Sequence, residues 1–110
     1  MGIQKAPHRI QMRLVFAVLK RAGRPLMCGD ILKRDSRIAR GALHRIIGAF
    51  SGQSDDQCLK VVGYKNVNGR SQGLYILTER GIHELAEMRV REPNLRKAYR
   101  ASTEERHRDA

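Results

Sequence analysis

Arg40, His44 and Arg45 fall on one side of a segment whose other side is apolar, and Arg37 stands just ahead of them. Residues of these types at this spacing suit hydrogen bonding to base edges and phosphates rather than bond-breaking chemistry. A guanidinium donates two hydrogen bonds to guanine O6 and N7, a pairing worth about 1–3 kcal/mol of discrimination. His44 has the chemistry to read a base or to touch a phosphate. Gly41 suits close approach to a duplex or to a neighbouring helix, although glycine lowers helix propensity by about 1 kcal/mol relative to alanine. Lys65, Asn66, Asn68 and Arg70 form a second set, in an acid-free stretch, and suit phosphate or minor-groove contact. Contact with phosphate alone is the competing role for each arginine, because at least half of protein–DNA hydrogen bonds go to phosphate and sugar. For the second set the competing reading is a solvated turn.

Other chemistries find little support. His8, His44, His83 and His107 are scattered, and His83-Glu84 followed by Ala86-Glu87 lacks the second histidine of a zinc helix. The glycines between Gly63 and Gly73 separate two strand-like runs and open no helix, so they make a turn and not a nucleotide loop. Cys28 and Cys58 have neither the partners nor the spacing of a zinc site or a disulfide scaffold. Small buried hydrophobes are their expected role, with redox sensing as the alternative. No enzyme, metal or cofactor is expected. Nothing in the chain names a small-molecule effector. No run approaches the roughly 18 apolar residues of a membrane span, and the start lacks a signal-peptide pattern, so a cytoplasmic protein with no membrane partner is expected.

The elements that must position these residues follow from periodicity. A first helix is expected over 8–22, between Pro7 and the Gly23-Arg24-Pro25 break. Its apolar residues Met12, Leu14, Val15, Phe16, Val18, Leu19 and Ala22 cover an arc of roughly 200°, well beyond an ordinary surface stripe. That width predicts cover on two sides, by the domain and by a second protomer, with Arg9, Arg13 and Lys20 left exposed. A two-turn helix over 30–34, cap and turn formers at Asp35-Ser36-Arg37 and a helix over 38–50 follow. In the last, Leu43, Ile46, Ile47 and Phe50 repeat at three and four, opposite Arg40, Gly41, His44, Arg45 and Gly48. This is a helix-turn-helix arrangement, whose second helix enters the major groove.

A polar loop is expected over 51–57, then strands at 59–64 and 74–77 joined by a floppy tip over 65–73 that contains Asn68-Gly69, a strong hairpin-turn signal. Thr78 caps a helix running to Arg91, before the helix-ending Glu92-Pro93. In that helix Ile82, Leu85, Ala86 and Val90 form a stripe for the core or for a partner helix. Only Leu95, Ala98 and Tyr99 are candidates for burial beyond Pro93, and Ser102 to Ala110 is expected to fray. The division is therefore 1–92, one DNA-binding domain, and 93–110, a charged C-terminal tail.

In 110 residues, 22 Lys and Arg oppose 11 Asp and Glu, a net charge of +11. Residues 1–50 hold eleven of the bases and two acids, so nine of the net charges precede residue 51. Such a chain attracts polyanions, chiefly phosphate backbones, because neutralised phosphates release counterions.

Two segments resemble a known family. Arg40-Gly41-Ala42-Leu43-His44-Arg45-Ile46-Ile47 looks like the start of the recognition helix in PadR-type winged-helix regulators, with Ala42 and His44 where threonine and tyrosine are usual. Gly69-Arg70-Ser71-Gln72-Gly73-Leu74-Tyr75-Ile76-Leu77-Thr78-Glu79-Arg80-Gly81 is similar to the wing strand and helix start of PadR- and MarR-type proteins, with their Tyr-x-Leu-Thr-x-x-Gly word. The resemblance, over about residues 25–90, implies an α+β winged helix-turn-helix with a three-helix core, a two-stranded wing and a C-terminal helix. It also implies a sequence-specific regulator or a mobile-element protein. A homodimer on double-stranded DNA is expected, its half-sites about one helical turn apart. A protein-interaction module, and an architectural or RNA-associated protein, are the competing expectations.

Overall fold

Apolar residues at helical spacing make Lys5–Ala22 (α1) the helix around which the chain is built. The computed structural model describes residues 5–101, with side chains from 9 onward. Cys28–Arg34 (α2), Arg40–Phe50 (α3), Ser51–Gly52 (β1), Leu59–Val67 (β2), Arg70–Leu77 (β3) and Glu79–Arg91 (α4) follow in order. A further helical stretch covers 95–101. The fold is α+β, with a three-stranded sheet in the order β1-β2-β3 and an element order compatible with a winged helix.

α1 packs against α2, α3, α4 and β3, so the chain itself fills its wide apolar arc. Leu14, Val15 and Phe16 are fully buried, with Ile10, Val18 and Leu19 close behind. Burying such side chains stabilises by about 1.5–3 kcal/mol each. The second protomer expected from the arc is therefore not needed to cover it. Arg13, expected at the surface, is also buried, at 7% exposure. Around α1 the core adds Leu26, Ile31, Ile38, Leu43, Ile46, Leu59, Leu85 and Met88.

Several boundaries differ from the expected ones. α2 begins two residues early, at Cys28, and α3 two residues late, at Arg40, because the Ile38 N–H closes the turn onto the Asp35 carbonyl and Ala39 is extended as the cap residue. The loop after α3 opens with β1, paired parallel to the start of β2. The hairpin tip is no floppy segment. β2 and β3 stay paired from Leu59↔Leu77 to Val67↔Arg70, leaving only Asn68 and Gly69 to turn the chain. Their φ angles of 53° and 80° are the left-handed pair of a type I′ turn, whose twist matches that of the strands. One bulge, at Val62, breaks the register. Beyond α4, Leu95 and Tyr99 pack against the core. The expected fraying segment, 102–110, lies outside the described residues.

The corner from sheet to α4 gives the Tyr-x-Leu-Thr-x-x-Gly word physical content. Tyr75 exchanges two backbone hydrogen bonds with Leu26 (3.0 and 2.9 Å), fastening the base of the hairpin to the approach to α2. The Thr78 hydroxyl accepts the Gly81 N–H at 3.2 Å and donates to the Gln57 carbonyl at 2.5 Å. A Cβ on Gly81 would lie 2.4 Å from the Cys58 carbonyl oxygen and 2.4 Å from Leu77 Cδ1, so only glycine permits this approach.

Candidate nucleic-acid interface

α3 owes its position to its buried face, where Ala42, Leu43 and Ile46 meet the core. Its N-terminus has no side-chain cap of its own, since Ala39 occupies the cap position. Gln11 of α1 substitutes. Its Oε1 accepts the Ala39 N–H at 2.8 Å, and its Nε2 donates to the Arg37 carbonyl at 2.9 Å. Gln11 is only 3% exposed. Sequence reasoning missed it, although a polar side chain near the middle of the apolar arc of α1 was the available signal.

The opposite face of α3 presents Arg40, Gly41, His44, Arg45 and Gly48, all exposed. Among the described residues, Arg40, His44 and Arg45 make no side-chain hydrogen bond and no ion pair. A Cβ on Gly41 or on Gly48 would meet nothing within 4 Å. Among the described residues no neighbouring helix packs on Gly41, and the two glycines leave a shallow surface between charged side chains.

Arg37 is held elsewhere. Its Nε and Nη2 donate to the two carboxylate oxygens of Asp35 at 3.0 and 2.8 Å, and its guanidinium lies 5.9 Å from the centroid of the Tyr99 ring. The Arg37 N–H also donates to Asp35, closing the turn between α2 and α3. These hydrogen bonds hold the Asp35 carboxyl below the usual carboxylate range, against the opposing effect of burial, and raise the Arg37 guanidinium above its own.

The strand register divides the expected wing residues between two faces. Lys65 pairs with Gln72 and Val67 with Arg70, so Lys65 and Arg70 share one face as diagonal neighbours. Asn66 belongs to the other face, with Tyr64, and its Oδ1 accepts the Gly69 N–H at 3.0 Å. Asn66 therefore builds the turn, while Lys65, Asn68 and Arg70 remain exposed. A Cβ on Gly73 would lie 2.7 Å from the Tyr75 hydroxyl, so a larger residue there would displace the end of the Tyr75 side chain.

The thiols are free. Cys58 is buried in the core and Cys28 half-buried, and burial raises both above the ordinary thiol range. Among the described residues no group of three His, Cys, Asp or Glu converges as a metal site would require, and no helix is long and apolar enough to cross a membrane. His44 and His83 lie on different helices, and the side chains of His8 and His107 lie outside the described residues. The chain matches no family model, no curated protein and no solved structure.

Proposed function

We propose that this chain is a winged-helix protein that binds double-stranded DNA and reads sequence with the exposed face of α3. The observation that carries this reading is the α3 surface itself, where Arg40, His44 and Arg45 make no side-chain hydrogen bond or ion pair among the described residues and flank a smooth floor made by Gly41 and Gly48. A helix with its cationic side chains free and its backbone accessible suits the major groove, where arginine meets guanine. The Lys65 and Arg70 face of the hairpin supplies phosphate or minor-groove contacts. Arg37 is a positioning residue in this reading, because a guanidinium already bidentate to Asp35 would have to surrender that pairing to reach a base.

The reading rests on one module and one half-site, since the arc of α1 no longer asks for a second copy. A protein-interaction module would have to use the half-buried Leu74 and Ile76 side of the hairpin, because the arc of α1 is covered.

Fluorescence anisotropy with a labelled duplex of random sequence tests the proposal. Affinity is expected to be high at 50 mM salt and to fall steeply towards 200 mM, with a log–log slope near −0.9 for each phosphate neutralised. Selection from a random duplex library is expected to enrich a defined motif. Absence of duplex binding at low salt overturns the proposal. Equal affinity for RNA with no enriched motif moves the function to an architectural or RNA-associated protein.

A further inference from the structure

Between α1 and the end of α4 lies a half-enclosed cavity of about 270 Å³, lined by Arg9, Ile10, Arg13, Met88, Arg91 and Glu92. Its floor is apolar, because Ile10 and Met88 are core residues. Its walls hold three guanidinium groups and one carboxylate. That carboxylate is engaged at the rim, where Glu92 Oε1 lies 3.1 Å from Arg9 Nη2. Arg91 has a surface partner outside the cavity, Glu87, at 3.3 Å.

Arg13 is the unbalanced member. It is 7% exposed, and its side chain donates to one neutral acceptor, the Glu92 carbonyl, which caps the end of α4. A guanidinium has five N–H donors, and a buried charge is costly without a paired opposite charge. Burial and the nearby charge of Arg89 both disfavour the charged form, with Glu92 opposing them in part. Capping one carbonyl explains one donor, and the Glu92 carboxylate, already engaged by Arg9, compensates the positive charge only in part. An incoming anion would supply the missing partner, in the bidentate geometry that arginine and carboxylate or phosphate oxygens share.

We propose that this cavity binds a small organic anion, with its carboxylate or phosphate group against Arg13, its short apolar body over Ile10 and Met88, and Arg9 and Arg91 closing the rim. The volume lies just below the roughly 300–1,000 Å³ of ordinary ligand pockets, so the ligand is small. A nucleic-acid backbone does not fit, because the burial of Arg13 keeps a continuous phosphodiester chain from reaching it. The site is independent of the DNA-binding reading, and its test uses no nucleic acid.

The test follows methionine methyl resonances of the full chain, labelled with ¹³C and assigned through Met88→Leu, during titration with benzoate or inorganic phosphate at constant ionic strength. The Met88 methyl is expected to shift saturably with at least one probe while Met27 stays in place. Saturation by benzoate assigns the site to carboxylates, and saturation by phosphate alone assigns it to phosphate esters. Arg9→Met and Arg91→Met are each expected to raise the half-saturation concentration about tenfold, whereas Arg24→Met leaves it unchanged. These rim variants keep the test decisive if Arg13→Met fails to fold. The proposal is overturned if Met88 is unmoved by both probes at about 10 mM, well above the range of specific ligand affinities. It is equally overturned if all methionines drift together, or if the rim variants bind as the parent does.

Discussion

Gln11 and Ala39, twenty-eight residues apart, meet in a 2.8 Å hydrogen bond that seats the start of α3 on α1. The same carboxamide holds the Arg37 carbonyl, so one buried side chain orients the two peptide units that lead into α3 and its exposed arginines. The orientation of the candidate interface thus depends on a residue that cannot touch a ligand.

Gln11→Leu keeps most of the volume of the side chain but strands the Ala39 N–H and the Arg37 carbonyl. A loss of about 1–3 kcal/mol in unfolding free energy is expected from urea denaturation. Hydrogen exchange at the Ala39 amide should quicken by more than exchange in the middle of α4. Unchanged stability would mean that water replaces the carboxamide without cost.

Two glycines on helices should respond in opposite ways to alanine. Gly41→Ala meets open space and is expected to stabilise the fold by up to about 1 kcal/mol through helix propensity, while weakening DNA binding by roughening the α3 surface. Gly81→Ala drives a Cβ into the Cys58 carbonyl and Leu77, and should destabilise by about 1–3 kcal/mol. Thermal unfolding paired with a duplex titration separates the two. A Gly41→Ala variant that binds DNA normally would remove close approach as the reason for that glycine.

Arg40 and Arg70 should fail differently. Arg40→Ala is expected to relax sequence preference, costing about 1–3 kcal/mol at the preferred site and less elsewhere. Arg70→Ala should weaken all sequences alike and reduce the salt slope by about one. Arg37→Ala should show its effect chiefly in stability. Equal, sequence-blind losses from Arg40→Ala and Arg70→Ala would count against base reading by α3.

Asp35 ties the fold to pH. Its folded carboxyl titrates below its unfolded value of about 3.9, so its contribution is fully present above that value and is lost as pH falls through the lower, folded one. Asp35→Asn is therefore expected to lower stability at pH 6 and to flatten the acid limb of the stability curve below about pH 4. Denaturant midpoints from pH 6 down to pH 2 test this. Parallel curves for the parent and the variant would show that the Arg37 pairing adds nothing to stability.

Much of this architecture was legible from spacing alone. The span Glu79–Arg91 with its Thr78 cap, the turn at Asn68-Gly69, and the division of α3 into apolar and cationic faces all follow from local rules, in which a residue's neighbours along the chain decide its conformation. The N-terminal charge excess and the burial of Cys58 belong with them. Local rules misjudged the ends of elements. Pairing of Lys65 to Val67 with Arg70 to Gln72 is won by the cross-strand ladder and the tight turn, since Val67 is the one strong β former among these six residues.

What only the tertiary structure decided concerns second neighbours. Periodicity shows which side of α1 is apolar, but not that elements of the same chain cover it so widely that Gln11 and Arg13 are enclosed as well. The placement of the Arg37 guanidinium beside the Tyr99 ring has the same origin, as does the cavity lined by Arg9, Arg13 and Arg91. These contacts join segments far apart along the chain, and a sequence pattern records each segment's own preference without the distance between them. The amino-acid order by itself determined which faces are apolar and which carry charge; the packing of α1 decided which of those charges remain free to meet a partner.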